Sequence, residues 1–215
     1  LNVQKTFPLR WKDIGVLLEG RLGSFFYSAY LGNGLAESEN LSQSQQFEDN
    51  NADKGKGGRV GVALSERMEV AYSYYRGKYD EGNRRHLVLQ GVDLIWSEES
   101  FELLAEYSRA GLENPENFMA GKAEGYFIQL SFQAERLQPV LCYQRMKYQD
   151  SFHGPGFAGP DAQGEGISEE KSRWALGLRY FFAPSCLLKF EYDFNREKGA
   201  ELKDNIFSVQ LALSF

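Results

Sequence analysis

Apolar and polar residues alternate along most of this chain, and the closing segment is the plainest case. Phe207, Val209, Leu211, Leu213 and Phe215 take every second position, with Ile206, Ser208, Gln210, Ala212 and Ser214 between them. Successive side chains of a strand point to opposite faces, so a period of two predicts a strand with one apolar face. Upstream, Leu188, Phe190, Tyr192 and Phe194 stand opposite Lys189, Glu191, Asp193 and Asn195. Trp174, Leu176, Leu178, Tyr180 and Phe182 oppose Arg173, Ala175, Gly177, Arg179 and Phe181, and Tyr126, Ile128, Leu130 and Phe132 oppose Phe127, Gln129, Ser131 and Gln133. Further rows are Ile14/Val16/Leu18, Phe25/Tyr27/Ala29/Leu31, Val60/Val62/Leu64, Val70/Tyr72/Tyr74 and Phe101/Leu103/Ala105/Tyr107. Two segments leave their faces open: 85–96, with Gln90 on one side and Asp93 on the other, and 138–149, whose apolar row is broken. No helical period lasts beyond a turn or two, so the predicted fold is all-β.

Strands drawn at 13–21, 24–32, 57–65, 69–78, 85–96, 101–110, 122–133, 138–149, 171–182, 186–196 and 205–215 leave connections of 2, 24, 3, 6, 4, 11, 4, 21, 3 and 8 residues. Short and long alternate throughout. A soluble sandwich has no reason to sort its loops by side, whereas outer-membrane barrels pair short periplasmic turns with long outer loops. The pattern predicts an antiparallel transmembrane β-barrel with long outer loops at 33–56 and 150–170. It also sends the first strand, like the last, toward the periplasmic side. Bacterial single-chain barrels hold an even number of strands, so an odd number is expected upstream and residues 1–215 read as one N-terminally truncated barrel domain. Leu1 opens no basic and apolar leader, so a signal peptide has been removed or the chain begins inside a longer protein. The competing reading takes LNVQKTFPL as a short twelfth strand, against which Pro8 and the brief RWK connection argue.

The stretch KDIGVLLEGRLGSFFYSAYLGNG at 12–34, with the polar loop DNNADKGKGGRVGVAL after it, resembles the middle of the phosphate- and pyrophosphate-selective porins of Gram-negative outer membranes. The matching positions are Asp13, Ile14, Gly15 and Val16, then Asn33 and Gly34. The final hairpin, RWALGLRYFFAPSCLLKFEYDFNREKG with DNIFSVQLALSF, is similar to that family's end, and Phe215 matches the terminal pattern by which such barrels are recognised for insertion. The resemblance implies the C-terminal portion of a sixteen-stranded barrel, about eleven of whose strands are present, assembling as a homotrimer. It implies outer-membrane lipid around it and small hydrophilic solutes or anions, phosphate among them, within it. Five strands upstream would be an odd number, as the strand directions require. The constricting loop and much of the basic ladder that selects phosphate in that family lie upstream, so selectivity does not carry over.

Composition narrows the picture. The 215 residues carry 24 Lys and Arg against 30 Asp and Glu, a net charge of −6, which argues against nucleic acid as a partner. No apolar run approaches the length of a membrane-spanning helix, but strand spans hide from such a test. By alternation the water-facing wall carries Glu19, Arg21, Arg59, Glu69, Glu102, Glu106, Arg173, Arg179, Lys189, Glu191 and Asp193. These eleven are the candidate pore-lining residues. Arg173, Arg179 and Lys189 form either an anion-attracting strip or half of a wall-bracing network with Glu191 and Asp193. Aromatics near strand ends (Trp96, Tyr126, Trp174, Tyr180, Phe182, Tyr192 and Phe215) predict girdles at two interfaces.

Other chemistry is weak. His86 and His153 are isolated, and Cys142 and Cys186 fall on opposite faces, so neither a metal site nor a disulfide is expected. Asp49, Asn51 and Asp53 open like a calcium loop, but Lys54 and Val60 stand where Gly and Glu are needed, so a solvated loop is expected. DKGKGG is no phosphate loop, no nucleophile context surrounds the Ser and His residues, and the sequon at Asn40 means little in a bacterial loop. The sequence predicts no catalytic residue, no enzyme and no cofactor. It points first to an outer-membrane porin admitting small hydrophilic solutes by passive diffusion. The alternatives are an outer-membrane barrel serving as a structural or adhesive surface protein, and a soluble ligand-binding calyx with its apolar rows turned inward.

Overall fold

The computed structural model describes residues 13–36, 48–49, 51–113, 121–149, 170–183, 185–198 and 203–213. They form eleven strands: β1 (Gly15–Leu22), β2 (Phe25–Gly32), β3 (Gly55–Ser65), β4 (Met68–Lys78), β5 (His86–Ser97), β6 (Phe101–Leu112), β7 (Gly121–Phe132), β8 (Leu137–Gln149), β9 (Glu170–Ala183), β10 (Cys186–Glu197) and β11 (Ile206–Leu213). Each pairs antiparallel with its neighbour in sequence, giving one meander in the order β1 to β11. Among the described residues the sheet is not closed: β1 and β11 are its two edges. Connections of 2, 22, 2, 7, 3, 8, 4, 20, 2 and 8 residues keep the expected alternation. The first short turn places Gly23 at φ 60°, a left-handed conformation glycine adopts without a Cβ penalty. The proposed strand in LNVQKTFPL, most of the 150–170 loop, His153, Asn40 and Phe215 lie outside the described residues.

Register assigns every face, because directly paired residues share one. Val62↔Val70, Val70↔Leu94, Leu94↔Ala105, Ala105↔Ile128, Ile128↔Tyr143, Tyr143↔Trp174 and Trp174↔Phe194 run as one unbroken apolar row across eight strands. The two ambiguous segments resolve by the same means. In β5, Asp93 pairs with Glu106 on the polar face, while Gln90 pairs with Arg109 on the other. In β8 the row Leu137, Pro139, Leu141, Tyr143 is apolar, and Pro139 sits just past the last β7 partner, Ser131↔Val140, where a missing N–H costs that ladder nothing.

The burial is inverted relative to a soluble sheet. On β9, Trp174, Leu176 and Leu178 are 49%, 50% and 38% exposed, whereas Ala175 beside them and Asp193 opposite it are 8% and 5%. A flat single layer would expose both faces equally, so the sheet is rolled with its polar face concave and its apolar face convex. That geometry contradicts the soluble calyx, whose apolar rows would have to face inward. From Trp174 to Phe182 the convex row of β9 covers about 26 Å at ~3.3 Å per residue. At the ~40° tilt of membrane barrels that is about 20 Å of height, near the ~25 Å apolar band they present.

One apolar cluster sits on the concave face, at the long-loop ends of β4 to β7: Tyr75, Leu87, Leu89, Ala110, Leu112 and Ala123, capped by Leu35 and Tyr79. The alternation test does not anticipate it. Leu35 is 1% exposed, and its backbone N–H donates to Tyr75 Oη at 3.1 Å. Glycines at 32, 55 and 77 leave room for this packing. A Cβ on Gly55 would come within 2.7 Å of Gly34 Cα and of the Tyr75 hydroxyl.

Candidate functional site

All eleven polar residues picked from the alternation lie on the concave face in one consistent register. Arg59 pairs with Ser73, Glu69 with Ile95, Glu102 with Ser131, Arg173 with Asn195, Arg179 with Lys189, Glu191 with Gly177 and Asp193 with Ala175. Glu19 and Arg21 follow on the edge strand β1, opposite Ser28 and Phe26. Their grouping is less even than the sequence suggests.

At mid-height of β3 to β6, Arg59 holds Asp93 through two N–H groups at 2.5 and 2.7 Å. This is the bidentate fork that makes arginine–carboxylate pairs strong and directional. Arg59 also reaches Ser73 Oγ at 3.4 Å and lies 5.9 Å from the Phe26 ring centroid. Glu106 stands next to Asp93 in the ladder. Asp93 completes this side of the belt and is absent from the eleven, because the segment around it carries polar residues on both faces. The signal was the pairing partner: only register with β6 puts Asp93 beside Glu106.

On β9 and β10, Arg173 binds Asp193 at 3.1 Å and Asn195 at 2.8 Å. One turn of the ladder above, Lys171 meets Glu197 at 3.4 Å, with the Glu197 side chain 1% exposed. Below, the arrangement changes. Arg179 and Lys189 are direct cross-strand partners, like charges opposite one another. Arg179 donates to Gln138 Oε1 at 3.1 Å, and neither cation makes an ion pair among the described residues. Like charges directly opposite are unfavourable in a ladder; on this face the carboxylate of Glu191 follows two register positions along β10 and makes no ion pair with either cation among the described residues. The bracing alternative therefore fits Arg173 with Asp193, and the anion-attracting alternative fits Arg179 with Lys189.

The remaining features have other uses. Asn51 donates to the carbonyls of Lys78 and Asp80, both at 3.2 Å, Asp53 accepts from the Lys78 N–H at 2.9 Å, and Lys54 pairs with Asp49. These residues fasten the loop to the end of β4, which corrects the expected free loop and leaves no set of calcium ligands. Among the described residues no group of His, Cys, Asp and Glu could hold a metal. Cys142 is buried on the concave face and Cys186 lies at the convex rim; both are free thiols. On the convex face the aromatics gather at two heights. Tyr126, Tyr143 and Trp174 stack with centroids 5.9 and 4.6 Å apart toward the long-loop end, and Tyr180–Phe182 and Trp96–Phe101 meet near the short turns at 4.5 and 5.4 Å.

Two carboxylates flank the membrane-spanning strands. Asp13, at the long-loop end, accepts from the Gly34 and Ile14 N–H groups and from the Tyr30 hydroxyl; loss of hydration pushes its pKa up despite those bonds. Glu98, in the exposed turn before β6, is held below its ordinary value by the hydrogen bond from Arg67, with a second from the Trp96 indole.

No protein-family model matches the sequence, and no curated protein sequence matches it. Solved structures do. The chain is similar to OmpT, an outer membrane protein of Vibrio cholerae in its trimer form, at 14% identity and a TM-score of 0.64, over 94% of this chain and 64% of that one. It is similar to a porin refined at 1.8 Å resolution, at 10% identity and TM-score 0.64, over 95% and 62%. The anion-selective porin from Comamonas acidovorans aligns at 11% identity and TM-score 0.59, over 92% and 54%. The chain thus spans less than two thirds of the length of these neighbours. Identities so low speak to architecture, and on architecture they agree: the chain has the antiparallel, porin-like β-barrel fold of outer-membrane proteins.

Proposed function

We propose that this chain forms the larger part of the wall of a porin in the outer membrane of a Gram-negative bacterium. The porin is a passive channel for small hydrophilic solutes that prefers anions, takes no cofactor and catalyses no reaction. The observation that carries the reading is the inverted burial: a convex face of exposed Trp, Leu, Phe and Tyr against a concave face on which Ser108, Ser131, Asp193, Asn195 and Glu197 are buried. Hydrocarbon outside and water inside satisfy both faces at once. The anion preference rests on Arg179 and Lys189, which make no ion pair among the described residues, and it is favoured by the neighbour described as anion-selective. Phosphate as the preferred anion rests on the sequence resemblance alone.

The free edges of β1 and β11 cannot stand in lipid, where every backbone N–H and C=O needs a partner. Further strands, five in a sixteen-stranded barrel, would join them. The trimer form of the V. cholerae neighbour supports a homotrimer. The test is planar-bilayer recording of the native-length protein: discrete conductance steps with a reversal potential on the anion side are expected. Insertion without conductance would refute the channel.

A further inference from the structure

The convex face is not apolar to its top. Above the tyrosine and tryptophan row on the long-loop side, register places Lys56 beside Arg76, Arg109 between Gln90 and Glu124, Lys122 beside Gly111, Lys147 between Glu124 and Glu170, and both Arg145 and Arg196 beside Ser172. Glu170 takes Arg145 as an ion-pair partner, and Glu124 accepts from the Tyr107 hydroxyl at 3.2 Å. Among the described residues Lys56, Arg76, Arg109, Lys122 and Arg196 make no ion pair, and all five are exposed. The short-turn end is different: there the convex rows finish in Leu22, Phe25, Trp96, Phe101 and Phe132, and the turn beside them pairs Arg67 with Glu98. A chain of net charge −6 thus gathers five cations that make no ion pair among the described residues toward the long-loop end of one face.

We propose that this collar binds the phosphate groups of anionic lipid headgroups in the leaflet on the long-loop side. The inference rests on the membrane-wall reading and adds a ligand to its rim. The geometry suits a headgroup. Lys56 and Arg76, register partners on neighbouring strands, stand about 4.8 Å apart in the hydrogen-bonding direction, close enough for the two to share one phosphate. The aromatic row directly below marks the depth at which acyl chains give way to headgroups. Trp174 and Arg196 line one open groove of about 760 Å³ together with Tyr143, Ser172 and Phe194, so an acyl chain and its phosphate have adjoining seats. Each Lys or Arg near an anionic surface adds roughly 1 kcal/mol, about fivefold in affinity.

The test is quenching of tryptophan fluorescence in the native-length protein, reconstituted in vesicles of phosphatidylcholine mixed with brominated phosphatidylglycerol, or of phosphatidylglycerol mixed with brominated phosphatidylcholine. Preferential quenching by the brominated anionic lipid, about fivefold in relative binding, is expected. It should fall to about onefold in the variant Arg76→Gln, Arg109→Gln, Lys122→Gln, Arg196→Gln, and stay near wild type when those arginines become lysine. An unchanged preference in the glutamine variant would overturn the collar. So would abolition of the preference by millimolar inorganic phosphate at constant ionic strength, since the site would then read free phosphate. Absence of quenching by either lipid would instead sink the membrane reading itself.

Discussion

The concave wall is built in two ways. Over β4 to β7 its long-loop end is an apolar surface closed by Leu35 and Tyr79, and below it Arg59 and Asp93 neutralise each other. Over β9 to β11 no such cluster forms among the described residues: the wall is ionic from Lys171 and Glu197 down to Arg179 and Lys189. A uniform water-lined bore would need neither arrangement. The first sector spends its interior on packing, which fixes the loop; the second keeps charged side chains, paired at Lys171–Glu197 and Arg173–Asp193 and without ion pairs among the described residues at Arg179 and Lys189. Packing and charge are thus concentrated in different sectors of one sheet.

The largest effect expected from breaking that division is on folding. Leu89 is 0% exposed and Ile206, also on the concave face, is 47% exposed. Truncating Leu89 to Ala should cost about 2–4 kcal/mol, because the surrounding side chains relax only partly into the space left. The same truncation at Ile206 should cost under ~1 kcal/mol. Urea titration of the reconstituted barrel, read by the gel-mobility difference between folded and unfolded forms, measures both. Equal costs would mean that the apolar sector is no tighter than the ionic one.

Next in size is a change in permeation. Reversing both Arg179 and Lys189 to Glu alters the local charge by four units. At ~7 Å in water, with screening at ~0.1 M salt, this amounts to roughly 1 kcal/mol, or a three- to tenfold shift of the anion-to-cation permeability ratio toward cations. Swapping the neutralised pair, Arg59→Asp with Asp93→Arg, conserves charge and should leave the ratio within about twofold. Reversal potentials under a salt gradient read both variants. A larger shift from the swap than from the reversal would relocate the selective site to the β3–β5 sector.

How much of this was legible in the chain follows from what period-two reasoning can see. It reads one strand at a time, and wherever a strand is apolar on one face and ionic on the other, as β10 is, it gives the strand and the residues of its concave face together. It fails on β5 because Leu87 and Leu89 put apolar side chains on the concave face while Gln90 puts a polar one on the convex face. Those exceptions make sense only once loop residues 35 and 79 are packed against the wall, a contact between distant parts of the chain. Asp93 was missed for the same reason. The cationic collar was visible residue by residue yet belongs to no single strand; it is a property of register across β3 to β10.

The smallest effect separates the two ends of the wall by the sign of a pH response. Asp13, its pKa raised by loss of hydration, is better accommodated protonated. Its contribution to the folded state is therefore fully present below the ordinary aspartate value of 3.8 and is lost as pH rises through the raised value. Glu98 is the opposite case: Arg67 lowers its pKa, so its contribution is present above the ordinary value of 4.5 and is lost as pH falls through the lowered one. Acidification should thus tighten the long-loop end while it loosens the turn. Hydrogen-exchange protection factors, corrected for intrinsic rates, check this at the Leu35 amide, which follows Gly34 and donates to Tyr75 Oη, and at the Ser97 amide, which donates to the Arg67 carbonyl beneath the Glu98 clasp. Protection at the two amides should move in opposite directions. Parallel movement would mean that a general loosening of the sheet, and no local carboxylate, governs both ends.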